Sequence, residues 1–300
     1  MSERTREESF PGLPPRLKPA DMLEDFRIER EVATGATATI YEATEISTDR
    51  RYALKVLSPH LALVPLAVMR FRAEAALAER VKHRAIIDIR GTGKDRDHYF
   101  YAMRLESGET AQSLSLEVDG RERDGFFHAV SRRFADVARA LERLHAEGIV
   151  HRDVKPENLL VGKDGQLILC DFGSALDTRD RQPALENTLW GTVRYMSPEQ
   201  LGPEADPYDS SIDTYALGLT LYEVATGVSP FPRCNEEDLV RLKLTRIPPA
   251  PRRINFKVPL GLDAIIRQAI EPCIALRHAS AAALAEDLER FAERKRGHRR

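Results

Sequence analysis

Apolar and polar positions alternate in short runs along the first third of the chain. FRIEREVA (26–33), TATIYEATE (37–45) and RYALKVL (51–57) are β-type runs separated by turn-capable residues, the pattern of an antiparallel meander. Between Pro65 and Lys82 the period changes. Leu66, Met69, Ala73, Leu77 and Val81 recur at three- and four-residue steps and predict an amphipathic helix with a charged outer face. Strand-like runs return at AIIDIRGTG (85–93) and HYFYAMRL (98–105). Ser107-Gly108-Glu109-Thr110 then breaks the pattern, and the boundary between two lobes is placed there.

Helices dominate beyond that boundary. Phe127, Val130, Phe134, Val137, Leu141 and Leu144 form a stripe that ends at Gly148, a natural C-terminal cap. The stripe is short for a coiled-coil seam and reads as a core face. Further helices are predicted over Asp213 to Thr226, largely apolar, Leu262 to Ile270, and Ala281 to Arg294, amphipathic. Residues 1–25 are charged, dotted with Pro11, Pro14, Pro15 and Pro19, and aperiodic, which predicts a flexible lead-in. No internal repeat is present.

Composition narrows the functional classes. Three hundred residues can bury one large core or two smaller ones that share a cleft. Lys and Arg number 45 against 47 Asp and Glu, so there is no global basic field to grip nucleic acid. Cys170, Cys234 and Cys273 are odd in number and lack the paired spacings of zinc sites or redox dithiols, which predicts a reduced, cytoplasmic setting. No run has the apolar length of a transmembrane segment. SERTREES at the start is charged where a signal peptide needs apolar residues. The basic end, Arg290 through Arg300, has no apolar anchor and reads as a solvated tail.

The chemistry concentrates in two stretches. HRDVKPENLL (151–160) places an aspartate, a lysine and an asparagine at steps that a tight loop can point into one cleft. Phosphoryl transfer needs such a set: Asp153 to orient an attacking hydroxyl and take its proton, Lys155 to offset phosphate charge, Asn158 to ligate Mg²⁺. In LILCDFGSA (167–175) an apolar strand delivers Asp171, a second hard oxygen ligand for Mg²⁺. Upstream, YALK delivers Lys55 to grip the α- and β-phosphates of ATP, with Glu74 on the predicted helix as its acidic partner.

Taken in order, YALK, the FRAE helix, HRDVKPEN, DFG, GTVRYMSPEQ (191–200), Asp213 with Gly218, and Arg277 resemble the eukaryotic-type protein kinase family, in particular its bacterial serine/threonine members. The resemblance covers about residues 26–292. It implies an α+β, bilobal protein-kinase-like fold: a small antiparallel-sheet lobe with one main helix (about 26–104) and a larger, mostly helical lobe (about 109–292). A flexible segment (1–25) would precede the kinase domain and a basic tail (293–300) would follow it. The implied activity is transfer of the γ-phosphoryl group of Mg-ATP to protein serine or threonine, with Asp153 as base, Lys155 at the γ-phosphate, and Lys55 paired to Glu74.

By the same resemblance, Met103, Arg104 and Leu105 lie in the strap that receives adenine, and Ala53 and Leu160 join the nucleotide-binding set. Glu199 resembles the glutamate that pairs with a buried arginine, here Arg277. His151 supports its loop rather than acting as a base. Arg152 resembles the arginine that grips a phosphorylated activation loop, with Thr188 and then Thr178 as the candidate phosphosites, and self-association for trans-autophosphorylation goes with it. The departure is the phosphate-covering loop, Ala33-Thr34-Gly35-Ala36-Thr37-Ala38-Thr39-Ile40, which keeps only the middle glycine of its pattern. Glycines there permit positive φ and close backbone approach, so weakened ATP binding is expected. The alternative functional class is a pseudokinase serving as an interaction or allosteric module. A small-molecule phosphotransferase would share the chemistry but has no use for GTVRYMSPEQ.

Overall fold

The computed structural model describes residues 15–116, 125–181, 191–202 and 206–294, and these fall into two compact units. The first comprises the chain up to Glu79 together with Asp88–Leu105. Its sheet is formed by β1 (Met22–Leu23), β2 (Phe26–Thr34), β3 (Ala38–Glu45), β4 (Arg50–Leu57), β5 (Ile89–Asp95) and β6 (His98–Arg104), in the order β1-β2-β3-β4-β6-β5 with every pairing antiparallel. Alternation puts Phe26, Ile28, Tyr41, Ala43, Leu54, Val56, Phe100 and Ala102 on one face as a continuous core. A one-turn helix, α1 (Pro59–Ala62), leads into α2 (Pro65–Glu79).

Helix α2 corrects the sequence reading in length and in face. It stops at Glu79, and it buries Phe71, Glu74, Ala75 and Ala78, while Leu66 and Met69 are half exposed. The buried residues are themselves at helical spacing, but one is a glutamate, so a search for an apolar stripe selects the wrong side. The chain ahead of Phe26 also differs from a flexible lead-in over residues 15–25. There β1 pairs with β2, Leu23 is fully buried, and the His98 ring lies 2.9 Å from the Pro15 carbonyl oxygen. Two paired residues carry no period for the sequence to show.

The second unit comprises Arg80–Ile87 and Glu106–Arg300. Residues 80–87 belong to it because Leu169 N–H donates to the Ala85 carbonyl and Ile87 N–H to the Leu169 carbonyl, at 2.8 and 2.9 Å. Its helices are α3 (Ala111–Leu116), α4 (Phe126–Ala146), α5 (Pro198–Leu201), α6 (Ser211–Thr226), α7 (Glu236–Thr245), α8 (Pro251–Ile254), α9 (Leu260–Ala269) and α10 (Ala281–Glu293). Short strands β7 (Ile149–Val150), β8 (Leu159–Val161), β9 (Leu167–Leu169) and β10 (Leu176–Asp177) pair as β7 with β10 and β8 with β9.

Helix α6 is the axle of this unit, buried around nearly its whole circumference, which is why it reads as apolar without a stripe. Gly218 lets it approach the end of α9, since a Cβ there would lie 2.7 Å from Ala269 Cβ. Helix α4 buries its predicted stripe from Val130 to Leu144 and packs against α10, with Arg139 forking onto Glu289 at 3.0 and 2.7 Å. It ends at Ala146, where Gly148 takes a positive φ of 73°. The result is the α+β division expected, a sheet unit with one main helix and a mostly helical unit.

Candidate active site

Each unit carries part of the candidate set. In the first, β4 places Lys55 opposite Tyr101 of β6, and α2 brings Glu74 to the same point. Lys55 Nζ lies 2.5 Å from Glu74 Oε1, and the same oxygen accepts the Tyr101 hydroxyl at 2.7 Å. Both members of the pair are nearly buried, with side chains 12% and 7% exposed. A carboxylate so placed must be paired and hydrogen-bonded to stay ionised, and here it is both. Tyr101 was missed in the sequence. Only the strand register, which sets it opposite Lys55, points to it.

The phosphate-loop candidates form the turn between β2 and β3. Ala33 pairs with Ile40 and Thr34 with Thr39, and Gly35 N–H donates to the Ala38 carbonyl at 2.9 Å. None of residues 33–40 has a positive φ, and a Cβ on Gly35 would make only an ordinary contact, 3.6 Å from the Ala38 oxygen. The positive-φ reason for requiring glycine in this turn therefore falls away. Ala36 and Thr37 are exposed at its tip, and Ala38 is buried. Ala53 sits across the ladder from Met103, Arg104 N–H donates to the Asp88 carbonyl at 2.9 Å, and Leu105 ends the unit.

In the second unit the loop after β7 is pinned from below by Asp213. This fully buried carboxylate accepts from the backbone N–H of His151 at 2.8 Å and of Arg152 at 2.7 Å, with His145 Nε2 at 2.8 Å. Burial alone would raise its pKa, but the hydrogen bond and charge of His145, followed by His151, outweigh it and hold the carboxyl below its ordinary value. The pinning has a purpose: Arg152 has φ +68°, a left-handed conformation costing on the order of 1–3 kcal/mol in a residue with a side chain. His151 is wholly buried, which pushes its pKa down and keeps the ring neutral, 3.3 Å from the Cys170 carbonyl oxygen. That matches a supporting role.

Above this floor Asp153 receives four donors. Lys155 Nζ reaches Oδ2 at 2.7 Å and Asn158 Nδ2 at 3.0 Å, while the N–H and the hydroxyl of Thr192 each reach Oδ1 at 3.0 Å. Lys155 Nζ also donates to the Thr192 hydroxyl at 2.8 Å. Thr192 can come this close because Gly191 precedes it. Gly191 has φ +110°, and a Cβ there would lie 2.7 Å from the Arg152 carbonyl oxygen. Thr192 was not singled out in the sequence, although it stands in GTVRYMSPEQ. A hydroxyl that closes a loop 39 residues from its partner leaves no local signal.

Asn158 spends its Nδ2 on the backbone and carboxylate oxygens of Asp153. Its Oδ1 accepts no hydrogen bond among the described residues. Asp171 follows β9, exposed, with φ +63°. An amide oxygen without a donor and a carboxylate on a strained turn fit two ligands of an Mg²⁺ ion whose other ligands are phosphate and water. Among the described residues no three His, Cys, Asp or Glu could hold a metal by themselves. Leu160 stands in β8 opposite Ile168 and bridges to Thr110.

The stretch after Gly191 is fixed along its length. Tyr195 donates its hydroxyl to Glu223 at 2.9 Å, Ser197 and Gln200 close a capping box at the start of α5, and Glu199 forks onto Arg277 at 2.7 and 3.1 Å. The Arg277 side chain is fully buried. Burial alone would raise the Glu199 pKa, but the guanidinium outweighs it and holds the carboxyl below its ordinary value. Thr178 N–H donates to the Gly148 carbonyl at 2.7 Å, whereas Thr188 lies outside the described residues.

Comparison with known proteins adds the lineage. Residues 26–288 match the family described as the protein kinase domain. The chain is 33% identical over 269 residues to the serine/threonine-protein kinase PknL of Mycobacterium tuberculosis, covering 89% of this chain and 66% of that one. It is 32% identical over 253 residues to M. tuberculosis PknA, covering 82% and 55%. A third relative, named a probable serine/threonine-protein kinase of Clostridium acetobutylicum, is 31% identical over 266 residues, covering 88% and 39%. The chain thus spans less than two thirds of the length of these relatives. It belongs to the protein kinase family, in the bacterial serine/threonine group.

Proposed function

We propose that this chain transfers the γ-phosphoryl group of ATP to serine or threonine hydroxyls of proteins. The observation that carries the reading is the Thr192 hydroxyl, held 3.0 Å from Asp153 Oδ1 with Lys155 beside it. The carboxylate accepts there the kind of group a protein substrate presents, at a distance suited to taking its proton. Lys155 offsets charge on the transferred group. Lys55, held by Glu74, takes the α- and β-phosphates, and Asn158 and Asp171 take the magnesium ion. Bound Mg-ATP supplies the activated phosphoryl group. Residues 33–40 cover it through their backbone N–H groups, and Ala53, Met103, Arg104, Leu105 and Leu160 receive the adenine.

The pseudokinase alternative leans on the missing glycines, and the turn's ordinary φ values take away much of its support. Within this reading, phosphorylation at Thr188, or at Thr178, orders the activation loop through Arg152, and a second copy of the chain delivers the phosphate. Among the described residues no helix is long and apolar enough to cross a membrane. A cytoplasmic setting remains part of the proposal. The test is a radiolabelled ATP assay with generic protein substrates and mapping of the modified sites. Label on serine and threonine is expected. No transfer, together with no magnesium-dependent ATP binding by calorimetry, would overturn the reading.

A further inference from the structure

Helix α7 buries two side chains, Leu239 and Lys243, one turn apart on the same face. A ten-residue surface helix ordinarily fills such a position with an apolar residue, yet Lys243 is only 2% exposed. Its Nζ donates to the Arg194 carbonyl at 2.8 Å and lies 4.3 Å from the centre of the Phe231 ring and 5.5 Å from that of Tyr215. No carboxylate pairs with it among the described residues. Glu199, the acid whose field reaches it, is occupied by Arg277, which stacks at 4.9 Å on the Tyr215 ring. Burial, with the Arg194 charge adding to it, pushes the Lys243 ammonium down to about 7.

Packing does not explain a lysine here. A methionine would fill the same space without the cost of burying a cation that has no carboxylate beside it. What lysine does, and methionine cannot, is donate to the main chain of residue 194. That residue is held from its other end as well, its guanidinium donating to Ser229 Oγ at 3.2 Å and to the Phe231 carbonyl at 3.0 Å. It lies two residues beyond Thr192, whose N–H and hydroxyl meet Asp153.

We propose that Lys243 is a positioning residue for the protein substrate: by holding the Arg194 carbonyl it fixes the stretch 191–200 against which the serine- or threonine-bearing peptide is laid beside Asp153. The proposal rests on the kinase reading above. Without the lysine, the half-buried Arg194 carbonyl loses its side-chain donor, and the stretch must shift to find a partner.

The test compares the full chain with Lys243→Met and Lys243→Gln, the second keeping an N–H donor without the charge. Four quantities are measured: KM for an acceptor peptide mapped from the wild-type reaction, KM for ATP, ATP hydrolysis without peptide, and the melting temperature. For Lys243→Met the peptide KM is expected to rise about tenfold, the size of one hydrogen bond to a charged donor. KM for ATP and peptide-independent hydrolysis should stay within twofold, and the melting temperature should change by no more than a few degrees, the lost bond and the relieved burial of the cation opposing one another. Lys243→Gln should fall between Met and wild type in peptide KM. An unchanged peptide KM in Lys243→Met overturns the proposal while leaving the kinase reading intact. Equal rises in peptide and ATP KM, or a Gln variant no better than Met, overturn it as well by pointing to a general structural role. Absence of transfer in the wild type removes the kinase reading, and this proposal with it.

Discussion

Replacing Asp213 by asparagine tests whether one buried carboxylate holds the loop after β7. Asparagine keeps a single acceptor oxygen. Placed where Oδ2 now accepts from His151 N–H and faces His145 Nε2, it leaves an NH₂ group against the Arg152 N–H, donor facing donor. A hydrogen bond to a charged group is worth about 1.5–3 kcal/mol, and a buried donor left alone costs about 1–3 kcal/mol. Against this, Arg152 can leave its left-handed conformation and recover on the order of 1 kcal/mol. The net is about 3 kcal/mol, a drop of roughly 6–12 °C in melting temperature for a unit of this size. The carboxyl is held below its ordinary value in the folded protein, so its contribution is present above the unfolded value, about 3.9, and is lost as pH falls through the folded one. Thermal melts of wild type and Asp213→Asn by circular dichroism should therefore show a gap at pH 7 that closes as the pH falls below about 4. A gap under 2 °C at pH 7, or one that does not narrow at the lowest pH where both melt cooperatively, would refute the reasoning.

Three other outcomes are expected. Asp153→Asn should keep its melting temperature within a few degrees while phosphoryl transfer falls about 10²–10⁴-fold; comparable turnover in a steady-state assay would remove Asp153 from the chemistry. Tyr101→Phe deletes the hydroxyl on Glu74 and loosens the partner of Lys55, so the Michaelis constant for ATP should rise about tenfold; an unchanged value would mean that the tyrosine does not hold the pair. The double variant Thr178→Ala, Thr188→Ala should lose most activity and most of its own phosphorylation by mass spectrometry, and full activity would dismiss activation-loop control.

Much of this is legible in the chain, because the strand runs are short and bounded by turn-capable residues and the candidate site residues cluster in HRDVKPEN and DFG. The misreadings have physical causes. Helix α2 hides its buried face because Glu74, kept there for Lys55, interrupts the apolar series, while Leu66 and Met69 supply a stripe that faces water. Tyr101 and Thr192 act through contacts set by strand register and loop closure, which composition and spacing do not encode. The loop from Ala33 to Ile40 is read through the usual need for glycine, one part of which depends on φ. Sequence shows which residue is missing but not whether the backbone wanted it.

The affiliation of residues 80–87 bears on how the protein can be taken apart. These eight residues interrupt the first unit in sequence, yet hydrogen-bond through Ala85 and Ile87 to Leu169 in the second. A fragment ending near Leu105 would carry this segment away from its partner, leaving the N–H of Ile87 and the carbonyl of Ala85 without the bonds that now satisfy them, beside the buried side chains of Ile86 and Ile87. The complementary fragment, beginning at Glu106, would expose the same edge of β9. Neither half is a self-sufficient expression unit, so split-protein designs and isolated-lobe preparations should move residues 80–87 with the helical half, by circular permutation or by a grafted copy, rather than cut once at the boundary.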